Sequence, residues 1–466
     1  MSPDTVDPVG TQRVALGQAV NPSVLERLRA DPARLAAVRV SARALVGSRL
    51  LVWGAVMATI GAFGYGPVRT AFNPPGVTRG FGWLGNLLAA PAARWDAAWY
   101  LVIAHYGYRP DLGALTASRT AFFPLYPLGL RAISWLGTPP VIAGVLFSLI
   151  ALAFALYGIH RLSTLELGVP RSRSALAAGL VPEAARLAVL LTAFAPMAFY
   201  FSAVYSESLY LALSVGVFWG ARTGRWAWVG VLGALAAATR STGVVLLLPA
   251  AMIYLYGPRG DRPADFLRKA RGRLLPSYRL RRDALWLALV PGGILAYCLY
   301  LGLSGGDLLA PLHAQGAWGR HFAGPYLGLW DGAKAAFDGA RQLLSFQRHH
   351  IFFPAGEGSP FVSAGHNLML FAFALLAVPA LIGVARRLPL AYLLYILAAL
   401  AVPLSEPVRS QPLMSLPRFL VVLFPLFMWF GAWLAERPRA QLPALLLSAL
   451  LMMFFAAQFA TWHWVA

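Results

Sequence analysis

From Leu50 almost to its end, the chain alternates apolar runs with short polar breaks. The runs lie near 50–68, 141–160, 188–204, 207–221, 226–238, 242–257, 284–303, 367–385, 388–404, 418–434 and 441–463. An α-helix rises 1.5 Å per residue, so about 20 apolar residues cross a hydrocarbon layer about 30 Å thick. The pattern therefore predicts an all-α, polytopic transmembrane helical bundle of about 11 spans. It divides the chain into a polar leader, 1–49, and a multispanning domain, 50–466. One further apolar stretch, 121–138, carries Pro124, Pro127 and Arg131 and reads as a re-entrant or interfacial piece.

Composition agrees with a bilayer as the main solvent: 59% of residues are hydrophobic, 12% are charged, and the mean hydropathy is +0.63. No short apolar segment with a small-residue cleavage site precedes the first run, so no cleavable signal peptide is expected. Cys298 is the single cysteine, which leaves no intramolecular disulfide and no cysteine-based metal site.

Charge sets the expected orientation. With the leader inside, roughly two thirds of the 39 Lys and Arg fall on inside segments. The densest is the basic loop 258–283, with Arg259, Arg262, Arg268, Lys269, Arg271, Arg273, Arg279, Arg281 and Arg282. The expected topology has a cytoplasmic N-terminus, the C-terminus outside, and two large outer loops, 69–140 and 304–366, containing interfacial helices. Counting 121–138 as a full span would put the basic loop outside, against the positive-inside rule. A net charge of +21 would point to nucleic acid in a soluble protein. Here the basic residues lie between apolar runs without a binding motif, so orientation and anionic lipid account for them and no nucleic-acid partner is expected.

Few charges on the expected outer side lie in apolar or aromatic sequence. Asp96 sits in Arg94-Trp95-Asp96-Ala97-Ala98-Trp99-Tyr100. On a helix, Trp95, Trp99 and Tyr106 would share an interfacial face with Asp96 and Tyr100 beside it. A partly desolvated aspartate there would suit a general base, and equally a solvated acid on an anchoring helix. Glu207, in Tyr205-Ser206-Glu207-Ser208, would bind substrate hydroxyls, pair with a cation, or favour the start of a helix. Arg240 interrupts an apolar stretch and needs a partner, for which Glu207 is the candidate. Arg418, in Ser415-Leu416-Pro417-Arg418-Phe419, would grip a lipid phosphate or snorkel to the headgroups. No HExxH, phosphate-binding glycine loop or nucleophilic triad occurs, and no metal or cofactor is expected.

The order of these segments resembles a known family. Arg94-Trp95-Asp96, Tyr100 through Tyr108 and Ala121-Phe122-Phe123-Pro124-Leu125-Tyr126-Pro127-Leu128 are similar to the first outer loop of the PIG-V family of mannosyltransferases and its bacterial relatives. The segments around Glu207, Arg240 and Arg418 resemble the same family. The resemblance implies a GT-C-like membrane glycosyltransferase. Such an enzyme would move a sugar, mannose in this family, from a polyprenyl-phosphate donor to an acceptor hydroxyl at the non-cytoplasmic face, with inversion and without a metal. It implies Asp96 as general base and Arg418, assisted by Arg240, at the lipid phosphate. Glu207 and Tyr100 would orient sugar hydroxyls, and Trp95, Trp99 or Trp318 would stack on sugar faces. The acceptor would be a glycolipid, a glycan or a protein. Lysine occurs only at 269 and 334 amid many arginines, which suggests a bacterium and its inner membrane. The competing expectation is a secondary transporter or a flippase for lipid-linked sugars. Transporters, however, favour mid-membrane charges on broken helices in repeated halves, and no such repeat is visible.

Overall fold

The computed structural model describes residues 31–67, 69, 72–78, 82–108, 118–168, 178–260, 276–352 and 359–465. Five residues of the basic loop, Arg262, Arg268, Lys269, Arg271 and Arg273, lie outside these.

Among the described residues every regular element is helical. In chain order the helices are α1 (Pro32–Phe63), α2 (Pro75–Thr78), α3 (Gly82–Ala89), α4 (Ala97–Tyr106), α5 (Leu125–Ser134), α6 (Pro140–Leu167), α7 (Val181–Ala193), α8 (Glu207–Arg222) and α9 (Trp226–Ala237). There follow α10 (Leu247–Tyr256), α11 (Gly292–Gly305), α12 (Ala310–His313), α13 (Pro325–Ser345), α14 (Pro360–Arg387), α15 (Leu390–Leu404), α16 (Leu416–Val421), α17 (Phe424–Ala435) and α18 (Pro438–Ala460). Short 3-10 turns link several of them.

Helices occupy each of the eleven expected positions. Four, α1, α6, α14 and α18, are long and apolar enough to cross a membrane alone. A fifth candidate is the 3-10 turn Arg282–Leu289 with α11, bent by 44°. The other expected spans fall on shorter helices or broken pairs. The protein is thus a helical membrane protein whose helices are interrupted as often as they are continuous.

The first helix begins before the first apolar run. α1 begins at Pro32, well inside the expected leader, because Asp31 caps it, accepting from the amides of Ala33 and Arg34 at 3.1 and 3.0 Å. Its small residues Ala37, Ser41, Ala44 and Ser48 then bury one face at helical spacing. Arg49 consequently lies inside the helix, buried. It donates to the Ala193 and Ala198 carbonyls at 3.0 and 2.8 Å and to Ser202 Oγ at 2.8 Å. These carbonyls flank the break after α7, where Pro196 prevents a continuous helix, so the guanidinium serves backbone acceptors that hydrocarbon would leave unpaired.

The segment 121–138 forms only the ten-residue α5, about 15 Å long and half of what a crossing needs. It folds back on α6: Tyr126 Oη donates to the Gly144 carbonyl at 3.0 Å and lies 2.8 Å from Ser148 Oγ. Between α7 and α17 the backbones approach so closely that a Cβ on Gly431 would meet the Ala184 oxygen at 2.6 Å. This packing seats α16, just upstream of α17, beside the break at 194–206.

Candidate active site

Three interruptions meet: the turn before α4, the 203–206 segment before α8, and the turn entering α16. The first two are laced together. Val204 N donates to the Ala92 carbonyl at 3.0 Å, and Tyr205 Oη donates to the Arg94 carbonyl at 3.0 Å.

The turn itself is strained. Trp95 has φ +54°, uncommon for a bulky residue and costing about 1–3 kcal/mol. Packing over-determines it: Phe72, Trp462 and Trp464 surround the indole with centroids 5.4–5.9 Å away. Arg94 Nε donates to the Ala460 carbonyl at 3.0 Å, and the guanidinium lies 4.6 Å from the Trp462 ring centroid. Trp95 therefore precedes α4 instead of sharing a face with Trp99 and Tyr106, which corrects that expectation. The detour places Asp96 at the cap of α4 with its carboxylate turned toward α16.

There Asp96 meets Arg418, whose Nη1 donates to Oδ2 at 2.7 Å. The guanidinium also approaches Glu207, its Nε 2.9 Å from Oε1, an ion pair without an aligned hydrogen bond. Arg240 Nη1 reaches the same Oε1 at 3.0 Å. The four side chains form one alternating line, Asp96, Arg418, Glu207, Arg240. Glu207 is fully buried, while the Asp96 and Arg240 side chains at the two ends are 15% and 12% exposed. Among the described residues nothing bonds Asp96 Oδ1. The rings of Tyr200, Tyr205 and Phe419 lie 5.4–6.0 Å from the Arg418 guanidinium carbon. Ser415, in the left-handed region at φ +69°, turns the chain into α16 and aims Arg418 at this line.

Arg240 has the partner expected for it. Other expected roles change. Glu207 is fully buried, with Oε1 between two guanidiniums and Oε2 buried without a hydrogen-bond partner. Tyr100 is also turned inward: its hydroxyl is 2.9 Å from Ser206 Oγ, and rings of Phe122, Tyr126 and Tyr205 enclose it. Burial, with the Glu207 charge adding to it, pushes the Tyr100 phenol up to about 12.

Trp99 is no free platform either, since Phe122 stacks on it at 5.2 Å and Trp318 crosses it at 5.9 Å. What Trp99 offers is its indole N–H, which is buried and unpaired, as is that of Trp95. A buried unpaired donor costs about 1–3 kcal/mol until something accepts from it. Trp95 and Trp318 are half-buried, whereas Trp99 is buried.

The charged line can fix a carboxylate through Oδ2 and leave Oδ1 to accept a proton. Among the described residues no group of three or more metal-ligating side chains gathers.

Comparison with known proteins shows what this site is similar to. Residues 69–254 match the family model "Mannosyltransferase (PIG-V)", which covers Asp96, Glu207 and Arg240. GPI alpha-1,6-mannosyltransferase 2 of Mus musculus is 33% identical over 177 residues, 36% of this chain and 31% of that protein. The proteins of the same name from Cricetulus griseus and Rattus norvegicus are each 31% identical over 38% of this chain and 34% of their own lengths. The chain thus matches about a third of the length of these curated relatives. No solved structure matches. Over the matched segment the chain is similar to the PIG-V family of mannosyltransferases.

Proposed function

We propose that this protein is a GT-C-like membrane mannosyltransferase that moves mannose from a polyprenyl-phosphate donor to an acceptor hydroxyl, with inversion and without a metal. The observation that carries the reading is Asp96, held through Oδ2 by Arg418 while Oδ1 stays open. A carboxylate fixed by one oxygen and free at the other suits a general base positioned for one hydroxyl.

In the proposed step, the acceptor oxygen attacks the anomeric carbon from the face opposite the phosphate. The carbon–oxygen bond to phosphate breaks with its electron pair going to the phosphate oxygen, and the acceptor proton passes to Asp96. Arg418 holds the base through Oδ2 and positions it beside the departing phosphate. Glu207 and Arg240 fix Arg418 in that pose. The unpaired indole N–H of Trp99 would bond a sugar hydroxyl, with Trp318 at the rim against a sugar face.

The proposal keeps the eleven-span topology with a cytoplasmic N-terminus, the site on the outer face, and the membrane of a bacterium. It is supported by the charge bias of the loops and by the arginine-rich composition. The acceptor would be a glycolipid, a glycan or a protein. The deciding experiment is transfer of radiolabelled mannose from polyprenyl-phosphate mannose in proteoliposomes. Wild type should form product and Asp96→Asn should not. Donor flipping across the bilayer without product would replace this reading with a flippase.

A further inference from the structure

The line of four charges sums to zero. Asp96 and Glu207 cancel Arg418 and Arg240, so neither arginine brings an uncompensated charge to a phosphate. The proposed reaction, on which this inference rests, turns a phosphodiester of charge −1 into a phosphomonoester of about −1.5 to −2 near pH 7. A neutral site handles that change poorly unless another cation faces the departing group.

Arg320 is the candidate cation. It follows Trp318, which packs tilted against Trp99 and edge-on to Phe122, each at 5.9 Å, beside the Asp96 helix, and Gly319, at φ +66°, turns the chain between them. The backbone of Arg320 bridges that of Val408, and the amides of Ala323 and Gly324 donate to the Ser405 carbonyl at 2.8 and 3.3 Å. The outer-loop residue is thereby zipped to the segment that leads into Arg418.

Its guanidinium donates one bond, to the neutral carbonyl of Glu406 at 3.1 Å. Among the described residues no carboxylate forms an ion pair with it, which leaves most of its five N–H donors open. Burial draws the guanidinium below its ordinary value; Glu406 and Asp96 favour its charge and Arg418 opposes it, so all four share one electrostatic neighbourhood.

We propose that Arg320 supplies the net positive charge of the site and binds the lipid phosphate most strongly as it departs. The mannosyl carbon–oxygen bond breaks, the electron pair and second negative charge pass to the phosphate, and Arg320 offsets that charge while Arg418 stays committed to Asp96 and Glu207. Ground-state donor, with one charge, gains less from it than the monoester product.

The test uses the full chain in proteoliposomes. Arg320→Gln should lower kcat about 10- to 100-fold while changing KM for the donor less than about 3-fold. Arg320→Lys should restore part of kcat, which a fold defect would not explain. In parallel, equilibrium binding compares polyprenyl monophosphate with polyprenol. Wild type should prefer the phosphate, and Arg320→Gln should lose about 10-fold of that preference. Unchanged kcat, a rise confined to KM, or an unchanged phosphate preference would each overturn the assignment. Wild type that transfers no sugar but prefers the phosphate through Arg320 would leave the cation site standing and remove the transferase reading.

Discussion

Two buried ionic clusters in this bundle are built from the same parts and end differently. Remote from the site, Arg222 pairs with Glu166, Tyr392 Oη donates to the same carboxylate oxygen at 2.9 Å, and Arg222 Nη1 donates to the Pro258 carbonyl at 3.0 Å. Both charges are covered by helices, at 4% and 0% side-chain exposure. The cluster at Asp96 is also ion-paired in its middle, yet its two ends reach the surface. A sealed pair fastens helices together. An open-ended line has the same internal support and still presents a carboxylate oxygen to an incoming molecule.

Four measurements sharpen or break that contrast. The largest effect is expected for Asp96→Asn, which keeps the shape and removes the base: transfer should fall by about 10²- to 10⁴-fold with the melting temperature nearly unchanged. A mutant that transfers normally would demote Asp96 to a structural acid.

Next comes Glu207→Ala, which strands two arginines. Breaking a buried pair costs about 3–5 kcal/mol, so a drop in thermal stability and in folded yield should accompany lost activity. Stability equal to wild type would contradict the geometry.

Arg222→Ala should destabilise by a similar amount, about 3–5 kcal/mol. The protein that remains folded, quantified by size-exclusion chromatography, should transfer sugar at the wild-type rate per molecule. A change in KM for the donor would mean that the sealed cluster communicates with the site. The smallest effect belongs to Trp99→Phe, which removes a single N–H. Losing one hydrogen bond of about 0.5–1.5 kcal/mol should raise the donor KM by roughly 2- to 10-fold. An unchanged KM would show that the indole donor faces no substrate.

Hydropathy located the helices because burial in lipid demands long apolar runs. It failed at Arg49, since a guanidinium inside a helix looks like the flank of one, and its compensation comes from carbonyls about 150 residues away. The partnership of Arg240 with Glu207 was legible because a lone intramembrane cation must be neutralised and few acids were available. The closer contact, Asp96 with Arg418, spans 322 positions, and a single sequence holds no sign of which distant pairs meet. Trp95 misled for a local reason: helical spacing was assumed through a residue that tertiary packing holds at positive φ. Tyr100, Trp99 and Glu207 were assigned to substrate by type, whereas their burial depends on neighbours that no spacing rule predicts. Arg320 drew no attention because an arginine in an outer loop is ordinary until its partners are known.

The tie between Arg94 and Ala460 crosses 366 positions and sets a clock on the protein. Ribosomes add about 5–20 residues per second, so the turn bearing Asp96 is made on the order of 20–70 s before the residues that clamp it. Through that interval the nascent chain carries Asp96 without the Ala460 acceptor, the Trp462 ring or Arg418. On the proposed reading, a chain shorter than these residues would have no assembled site with which to consume donor.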